Sequence, residues 1–427
     1  MGEATRAHRI VLASVGTDGD LYPFLGLGRV LARRGFAVTL ASHEHFGPLA
    51  VRDGLDFAPL VTRSETEDLL RNPQLWHPLW APFVVARWGR TLIRRQYAEL
   101  HRVATAGDRT WLVANPGVVA ARVLEDFTGI PTLSVVLQPW LFPSVEAPPA
   151  MLGGLTLPSS APRWLGRMYY RGYDGIGWFL VGRSVNQLRR ELKLPPVRQV
   201  LKWWFARRGI LALFPGWFGA PQKDWPEGVR LCGFPGEDGL LERPLTTSVD
   251  QFLDRGQPTV AFTFGTGMRH AAGLFRECVA ACQQLGVPGI LLTPHRGQLP
   301  TQLPPQVLHC EFAPFQRLFP RCAAVVHHGG IGTTAKALAA GTPQLILPFA
   351  FDQLDNACRV KRLGAGQWLP TSQRRATDLA ESIRRLLSPE SRARAAAIAA
   401  AGRGRPGLEV AADEIERVMM LGWVEGR

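Results

Sequence analysis

His327-His328-Gly329-Gly330-Ile331-Gly332-Thr333-Thr334 follows the apolar run 323–326 and precedes the alanine-rich segment 335–340. The apolar run predicts a short buried strand and the alanines a helix, so the local order is strand, glycine turn, helix. Such a turn aims several backbone N–H groups, the positive end of a helix dipole and two hydroxyls at one spot, which makes a seat for a phosphate. The chain continues through Gly341-Thr342-Pro343 into a second expected strand, 344–347, that ends at Pro348. The following Phe351-Asp352-Gln353-Leu354-Asp355-Asn356 then brings Asp352 and Gln353 to the same sheet edge. A diphosphate at one end and a polyhydroxylated group at the other satisfy both halves. Glycine turns between strand and helix also occur where nothing binds, so the joint pattern carries the signal.

Outward from this stretch the chain repeats the alternation of strand and helix. Upstream, the run 259–264 opens onto a second glycine turn, Gly265-Thr266-Gly267, with Arg269 and His270 at the start of a helix. Residues 215–250 have frequent Pro and Gly without periodicity and read as a linker, after a strand at 210–214 that ends the first domain. Further strands are expected at 10–14, 37–41, 110–114 and 132–137, with helical text between them. The first is followed by Val15-Gly16-Thr17-Asp18-Gly19-Asp20 and a helix opening near Pro23. Two aspartates and no Walker lysine argue against a phosphate loop there.

Beyond the second strand, His43-Glu44-His45 has no further ligands at useful spacing, so no metal site is expected. Trp76, Trp80, Phe83 and Trp88 interleave with Arg87, Arg90, Arg94 and Arg95 in the helical text 64–102. Three readings stay open for this segment: a cover over a ligand pocket, a surface that meets lipid, or core packing with a solvated basic face. The loop Gln138-Pro139-Trp140-Leu141-Phe142-Pro143 belongs at the C-terminal edge of the sheet, where open α/β folds bind ligands. Residues 144–160 read as a Pro-, Ser- and Gly-rich flexible loop beside it.

The motif His-x-Gly-Gly-x-Gly-Thr-Thr followed by Pro, apolar residues and Asp-Gln-x-x-Asn resembles the donor-binding signature of nucleotide-sugar glycosyltransferases of the GT-B fold, in the UDP-glycosyltransferase family (glycosyltransferase family 1). In pattern it is nearest to the rhamnosyltransferases of rhamnolipid biosynthesis, through Asn72-Pro73-Gln74-Leu75-Trp76, Phe214-Pro215-Gly216-Trp217-Phe218, Asp224-Trp225-Pro226 and Gly233-Phe234-Pro235. The resemblance implies an α/β chain of two Rossmann-like domains whose parallel sheets face a central cleft. Residues 1–214 would be the acceptor domain, 215–250 the linker, 251–405 the nucleotide-sugar domain, and 406–427 a last helix crossing back onto the first domain.

The resemblance also implies roles. Asp20, three residues before Pro23, matches the general base that many bacterial members keep; its plain alternative is an acid at a helix N-terminus. His327, Gly329, Gly330, Gly332, Thr333, Gly265, Thr266 and His270 would hold the diphosphate, and Asp352 and Gln353 the sugar hydroxyls. Phe312 would stack on the nucleobase and the backbone at Phe315 would meet its edge. Trp140, Phe142 and Trp80 are the expected acceptor contacts. Ala335 stands where many members keep a glutamate on the ribose, which leaves both UDP and dTDP open. No metal and no resident cofactor are expected, since the helix terminus would do the work of a divalent ion.

The composition agrees with a globular two-domain chain: 427 residues, 46% hydrophobic and 20% charged. No apolar run reaches the roughly 18 residues of a membrane span, and the short polar start predicts no leader peptide. The six cysteines include no Cys-x-x-Cys pair and read as reduced core residues of a cytoplasmic protein. A net charge of +14 raises nucleic acid as a partner, but the basic residues are spread and match no binding motif. The charge suits an anionic nucleotide sugar, an acidic lipid acceptor or contact with a membrane surface. The expected activity is inverting transfer of a hexose, rhamnose or glucose, to a hydroxyl of an apolar acceptor. A non-catalytic homologue acting as activator or scaffold is the alternative, and oligomeric state is not legible.

Overall fold

The structure, a computed structural model, describes residues 8–107, 109–151, 157–158, 161–236 and 244–424, with side chains through 421. Expectations for the first seven residues, and for 152–156, 159–160 and 237–243 within the loop and linker, lie outside the described residues.

Two wholly parallel sheets form. The first contains β1 (Arg9–Ala13), β2 (Ala37–His43), β3 (Asp56–Val61), β4 (Thr110–Ala114), β5 (Thr132–Val136), β6 (Ile210–Ala212) and β7 (Val229–Leu231), in the order 3-2-1-4-5-6-7. The second contains β8 (Val260–Thr263), β9 (Gly289–Leu292), β10 (Val307–Cys310), β11 (Ala324–His327), β12 (Gln344–Ile346) and β13 (Gly366–Trp368), in the order 10-9-8-11-12-13. β4, β5, β8, β9 and β11 are buried at every position. Helices cover both faces of such strands, which is why they read as apolar runs rather than as alternating ones.

Both strand orders reverse direction beside their first strand, between β1 and β4 and between β8 and β11. Loops on either side of such a reversal splay apart and leave a crevice at the carboxyl ends of the strands. The crevices of the two halves are lined by the turns already singled out: Gly16 to Asp20, Asn115 and Pro116 in one, and Gly265 to Gly267 and His328 to Gly332 in the other.

The linker expectation needs correction. β7 lies inside 215–250 and pairs with β6 through Ile210 and Val229, so the first sheet runs one strand past the one expected to end it. Its three residues, Val229, Arg230 and Leu231, are too few to show a period. β3, in a stretch for which no strand is expected, carries Pro59; it is an edge strand, where a missing N–H is tolerated.

The helix Gly407–Val424 returns to the first domain and lies on the helix Asp18–Arg33. Arg34 meets Glu409 at 2.6 Å, Asp413 at 2.8 Å and Glu416 at 3.1 Å, while Leu408, Ala411, Ile415 and Met419 join the apolar core of the first sheet. None of the helices among the described residues is long and apolar enough to cross a membrane.

Candidate functional site

The loop after β1 is built to present a carboxylate. Thr17 caps the helix Asp18–Arg33, and Asp20, three residues on, closes the reciprocal capping box. Asp20 Oδ2 accepts hydrogen bonds from Thr17 N at 2.9 Å and Thr17 Oγ1 at 3.1 Å. Its other oxygen, Oδ1, accepts nothing among the described residues, so one lone-pair face is left for a proton. Burial pushes the Asp20 carboxyl above its usual range; the Thr17 hydrogen bonds oppose this and the nearby Asp18 charge adds to it.

A histidine that sequence reasoning treated only as a rejected metal ligand holds this loop. His43, at the end of β2, accepts from Gly16 N through Nε2 at 3.3 Å and donates through Nδ1 to Thr66 at 2.8 Å. Burial lowers it to about 4, so it is a neutral, fixed acceptor. His45 approaches Asp18 at 3.4 Å. Among the described residues no cluster of three or more His, Cys, Asp or Glu is arranged to hold a metal ion.

The glycine turn after β11 differs from expectation in one residue. His327 is fully buried, with Nε2 donating to Gln344 Oε1 at 2.9 Å and Nδ1 accepting from Gly329 N at 3.1 Å. Both ring nitrogens are thus engaged inside the fold, and His327 does not face the cleft. Its neighbour His328 does. A Cβ added to Gly265 would come within 3.2 Å of the His328 ring, and one added to Gly330 within 2.5 Å. The imidazole therefore sits between the two glycine turns, at the start of the helix Ile331–Ala340. Burial lowers it to about 4, opposed by the Thr263 carbonyl. That helix begins four residues before its alanine run because Gly330 caps it, which puts Thr333 in its first turns.

Gly332 abuts Gly19: a Cβ there would lie 3.9 Å from the Gly19 Cα. The N-terminal ends of two helices, one from each domain, thus meet. Thr266 Oγ1 donates to Asp18 Oδ2 at 2.7 Å, and His270 Nε2 donates to the Arg71 carbonyl at 3.2 Å. His270, expected on the diphosphate, is instead spent on a bridge between domains. Burial raises the Asp18 carboxyl, but hydrogen bonds from His45 and Thr266 outweigh this and hold it below its usual value.

Asp352 caps the helix Gln353–Leu363 and accepts from Asn356 Nδ2 at 2.7 Å; the same amide reaches the Gly329 carbonyl at 2.9 Å. Just before it, Phe351 holds a left-handed backbone with φ of 57°, and Trp76 of the first domain meets its ring edge-on at 6.5 Å. A non-glycine residue held there stores of order 1–3 kcal/mol, and here the strain aims Asp352. Gln353 uses its amide oxygen on Phe349 N and Ala350 N, at 2.7 and 3.2 Å, so any role toward a ligand falls to its NH₂.

Asp352 is pushed up to about 7 by burial and by the charge of Asp20, which tells that the two carboxylates share one crevice. Its ordinary value is 3.8, so stability is highest while Asp352 keeps its proton and is lost as pH rises from about 4 to 7. Asp352→Asn is expected to melt about 3 °C or more above the parent at pH 8, with the gap closing toward pH 4. Thermal melts across pH check this; a gap independent of pH would remove the buried charge as its cause.

Phe312, two residues past the end of β10, is 39% exposed. Phe315 turns inward and stacks on Phe319 at 4.5 Å, with Lys336 over its ring. On the acceptor side, Trp140 lines an apolar cavity with Pro116, Leu141, Tyr169, Tyr173 and Trp204. Pro116 follows β4 and Trp140 follows β5, so this wall of the cavity lies at the carboxyl ends of the strands beside β1. One expected acceptor contact is corrected. Phe142 is buried in the core against Phe205, Phe214 and Trp225, so it does not reach the cavity; Trp80 is 52% exposed and packs beside Phe83.

Comparison with known proteins matches residues 10–144 to the glycosyltransferase family 28 N-terminal domain and residues 287–416 to the erythromycin biosynthesis protein CIII-like C-terminal domain. The O-mycaminosyltylonolide 6-deoxyallosyltransferase of Streptomyces fradiae is 29% identical over 98% of each chain. A sterol 3-beta-glucosyltransferase of Arabidopsis thaliana is 28% identical over 96% of this chain and 68% of its own. The solved glycosyltransferase of kitacinnamycin superposes with a TM-score of 0.71 at 20% identity, covering 97% of this chain and all of the other. Two parallel sheets, a domain match to each half of the chain and relatives named for sugar transfer that match at least 96% of it make this chain a nucleotide-sugar glycosyltransferase of the GT-B fold.

Proposed function

We propose that the enzyme transfers a hexose, glucose or a 6-deoxyhexose such as rhamnose, from UDP or dTDP to a hydroxyl of an apolar acceptor with inversion at the anomeric carbon. Asp20 is the general base. The observation that carries this reading is the meeting of the two crevices beside Asp20: Thr266 of the second domain donates to Asp18 at 2.7 Å, and Gly332 of the second domain abuts Gly19. A sugar held through its hydroxyls by Asp352 and the Gln353 NH₂ would present its anomeric carbon toward the free oxygen of Asp20. The acceptor hydroxyl, deprotonated by that oxygen, attacks from the face opposite the diphosphate, hence inversion.

The leaving diphosphate is received by the N–H groups and dipole at the start of the helix Ile331–Ala340, by the Thr266 and Thr333 hydroxyls, and by His328 in place of His327. A neutral His328 contributes a hydrogen bond rather than a charge. The nucleobase stacks on Phe312. An apolar acceptor is supported by the Trp140 cavity and by relatives that act on a macrolide and on sterols. A 6-deoxyhexose donor is supported by the 6-deoxyallosyl relative and by the rhamnosyltransferase-like motifs, and the missing ribose glutamate at Ala335 keeps dTDP in contention.

Asp18 is the group that limits donor affinity. Its carboxylate occupies the Thr266 hydroxyl that the diphosphate needs, and two like charges then meet in a partly desolvated crevice. Asp18→Asn is expected to tighten UDP or dTDP binding by about tenfold in calorimetric titration. Weaker binding would mean that the carboxylate serves the closed cleft instead. The activity itself is tested by incubating the enzyme with UDP-glucose, dTDP-glucose and dTDP-rhamnose against sterol, macrolide and hydroxy-fatty-acid acceptors, with mass spectrometry of the products. Nucleotide binding without transfer to any of these would favour the non-catalytic scaffold.

A further inference from the structure

The helix Arg163–Gly177 is seated on the first domain through little of its surface. Gly166 is its one buried residue, pressed so closely on Val145 and Leu157 that a Cβ would overlap them. Tyr169, Tyr170 and Tyr173 turn inward to line the acceptor cavity. At about 100° per residue, Trp164, Met168, Leu165 and Ile176 fall within roughly a third of a turn, on a face that adjoins the tyrosines'. Trp164 and Met168 are each 58% exposed, and Leu165 and Ile176 are exposed beside them. Arg167 and Arg171 run along one edge of this apolar band.

The band continues. Trp178 and Phe179 follow in a π-helical turn, both exposed, with the Arg183 guanidinium 5.7 and 5.0 Å over their rings. That turn packs on the helix Ala81–Ala104, which exposes Phe83 and Val85 with Arg87 and Arg90. Arg87, Arg90, Arg167 and Arg171 are exposed and pair with no acidic side chain among the described residues. Other arginines of these two helices are paired: Arg94 with Glu191, Arg95 with Glu65, Arg102 with Glu99 and Arg163 with Glu146. Residues 81–98 contain no Asp or Glu, and Asp174, the one acid in 163–183, is turned inward to accept from Leu201 N at 2.7 Å.

We propose that this aromatic and arginine-edged surface docks the enzyme on an anionic lipid bilayer. Exposed tryptophans and aliphatic side chains enter the boundary between headgroups and acyl chains, while unpaired guanidinium groups meet lipid phosphates. A second copy of this chain fits the surface poorly, because a two-fold contact would set the same unpaired arginines against one another. If the proposed apolar acceptor is correct, one further consequence follows from that reading. The tyrosine face of the same helix lines the cavity, so docking would set its mouth at the lipid surface, where such acceptors partition.

The test uses the full chain without donor sugar, so it stands apart from any failure of catalysis. Flotation is measured with pure phosphatidylcholine vesicles and with vesicles containing about one-third phosphatidylglycerol, at about 0.1 M and about 0.5 M salt. Binding to the anionic vesicles at low salt, weakened at high salt and absent on pure phosphatidylcholine, is expected. Arg167→Glu with Arg171→Glu should cut partitioning by at least about tenfold. Trp164→Ala with Met168→Ala should weaken the residual binding at high salt. Melting temperature and nucleotide protection report whether each variant is folded. Should one not fold, a blue shift of the parent's tryptophan emission on adding anionic vesicles supplies the measurement. No binding to anionic vesicles, or undiminished binding by both folded variants, overturns the proposal. So does a dimer that the same substitutions dissociate while vesicles bind neither form.

Discussion

Asp20→Asn lowers turnover by about 10²- to 10⁴-fold and leaves UDP or dTDP binding nearly unchanged. The substitution keeps the shape of the side chain and an oxygen for Thr17 N and Thr17 Oγ1, so the capping box is weakened rather than lost. What disappears is the ability to take a proton. Nucleotide contacts lie on the other domain, around Gly265, His328 and Thr333, and are untouched. Single-turnover kinetics with titration of the nucleotide separates the two effects. A variant that turns over like the parent would remove Asp20 as the base. Burial and the Asp18 charge raise the Asp20 carboxyl, so turnover should fall on acidification at a pH above the usual carboxylate range. Asp18→Asn should move that limb to lower pH.

Gly329→Ala is expected to destabilise the chain by about 2–4 kcal/mol and to abolish donor protection against heat. Gly329 has φ of 93°, a backbone conformation that an L-residue rarely adopts. A Cβ there would stand 2.7 Å from Ile346 Cγ2 and 2.9 Å from the Gln353 carbonyl, the latter a backbone atom with little room to move. Its N–H holds His327 and its carbonyl takes the Asn356 amide that also holds Asp352. One methyl group thus disturbs the strand end, the glycine turn and the sugar carboxylate together. A melt within about 1 kcal/mol of the parent would show that the turn relaxes freely.

Local regularities made much of this legible. Strands buried on both faces are continuous apolar runs, so β1, β4, β5, β8 and β11 could be found by eye within a residue or two. Glycine turns between such a strand and an alanine helix could be read as a phosphate seat because the seat is made of backbone. Asp20, Asp352 and Phe312 were singled out by the resemblance of their motifs to the family's, not by local geometry. Short or edge strands such as β7 and β3 were missed, since three residues show no period and a proline looks like a break.

The errors at the site share a different cause. Which of two adjacent histidines faces a cleft depends on how the strand end is rotated, and the register of β11 against β8 and β12 turns His327 inward to Gln344 and leaves His328 outside. Phe142 and Trp80 are both aromatic, and composition does not distinguish a core ring from a surface one. His43 could not be tied to the base loop from sequence, because its contact with Gly16 spans 27 residues of chain.

Sequence alone therefore determined the two βα halves and the phosphate-seating turns, because these depend on short-range backbone preference and patterning; the proposed base and sugar carboxylate were singled out by the family resemblance of the motifs around them. Tertiary structure alone decided which side chains enter the crevice, that Asp18 holds Thr266 across it, and that one helix shows tyrosines to the cavity and tryptophan to solvent. Those outcomes are set by packing and electrostatics between segments hundreds of residues apart, which no local window of the chain contains.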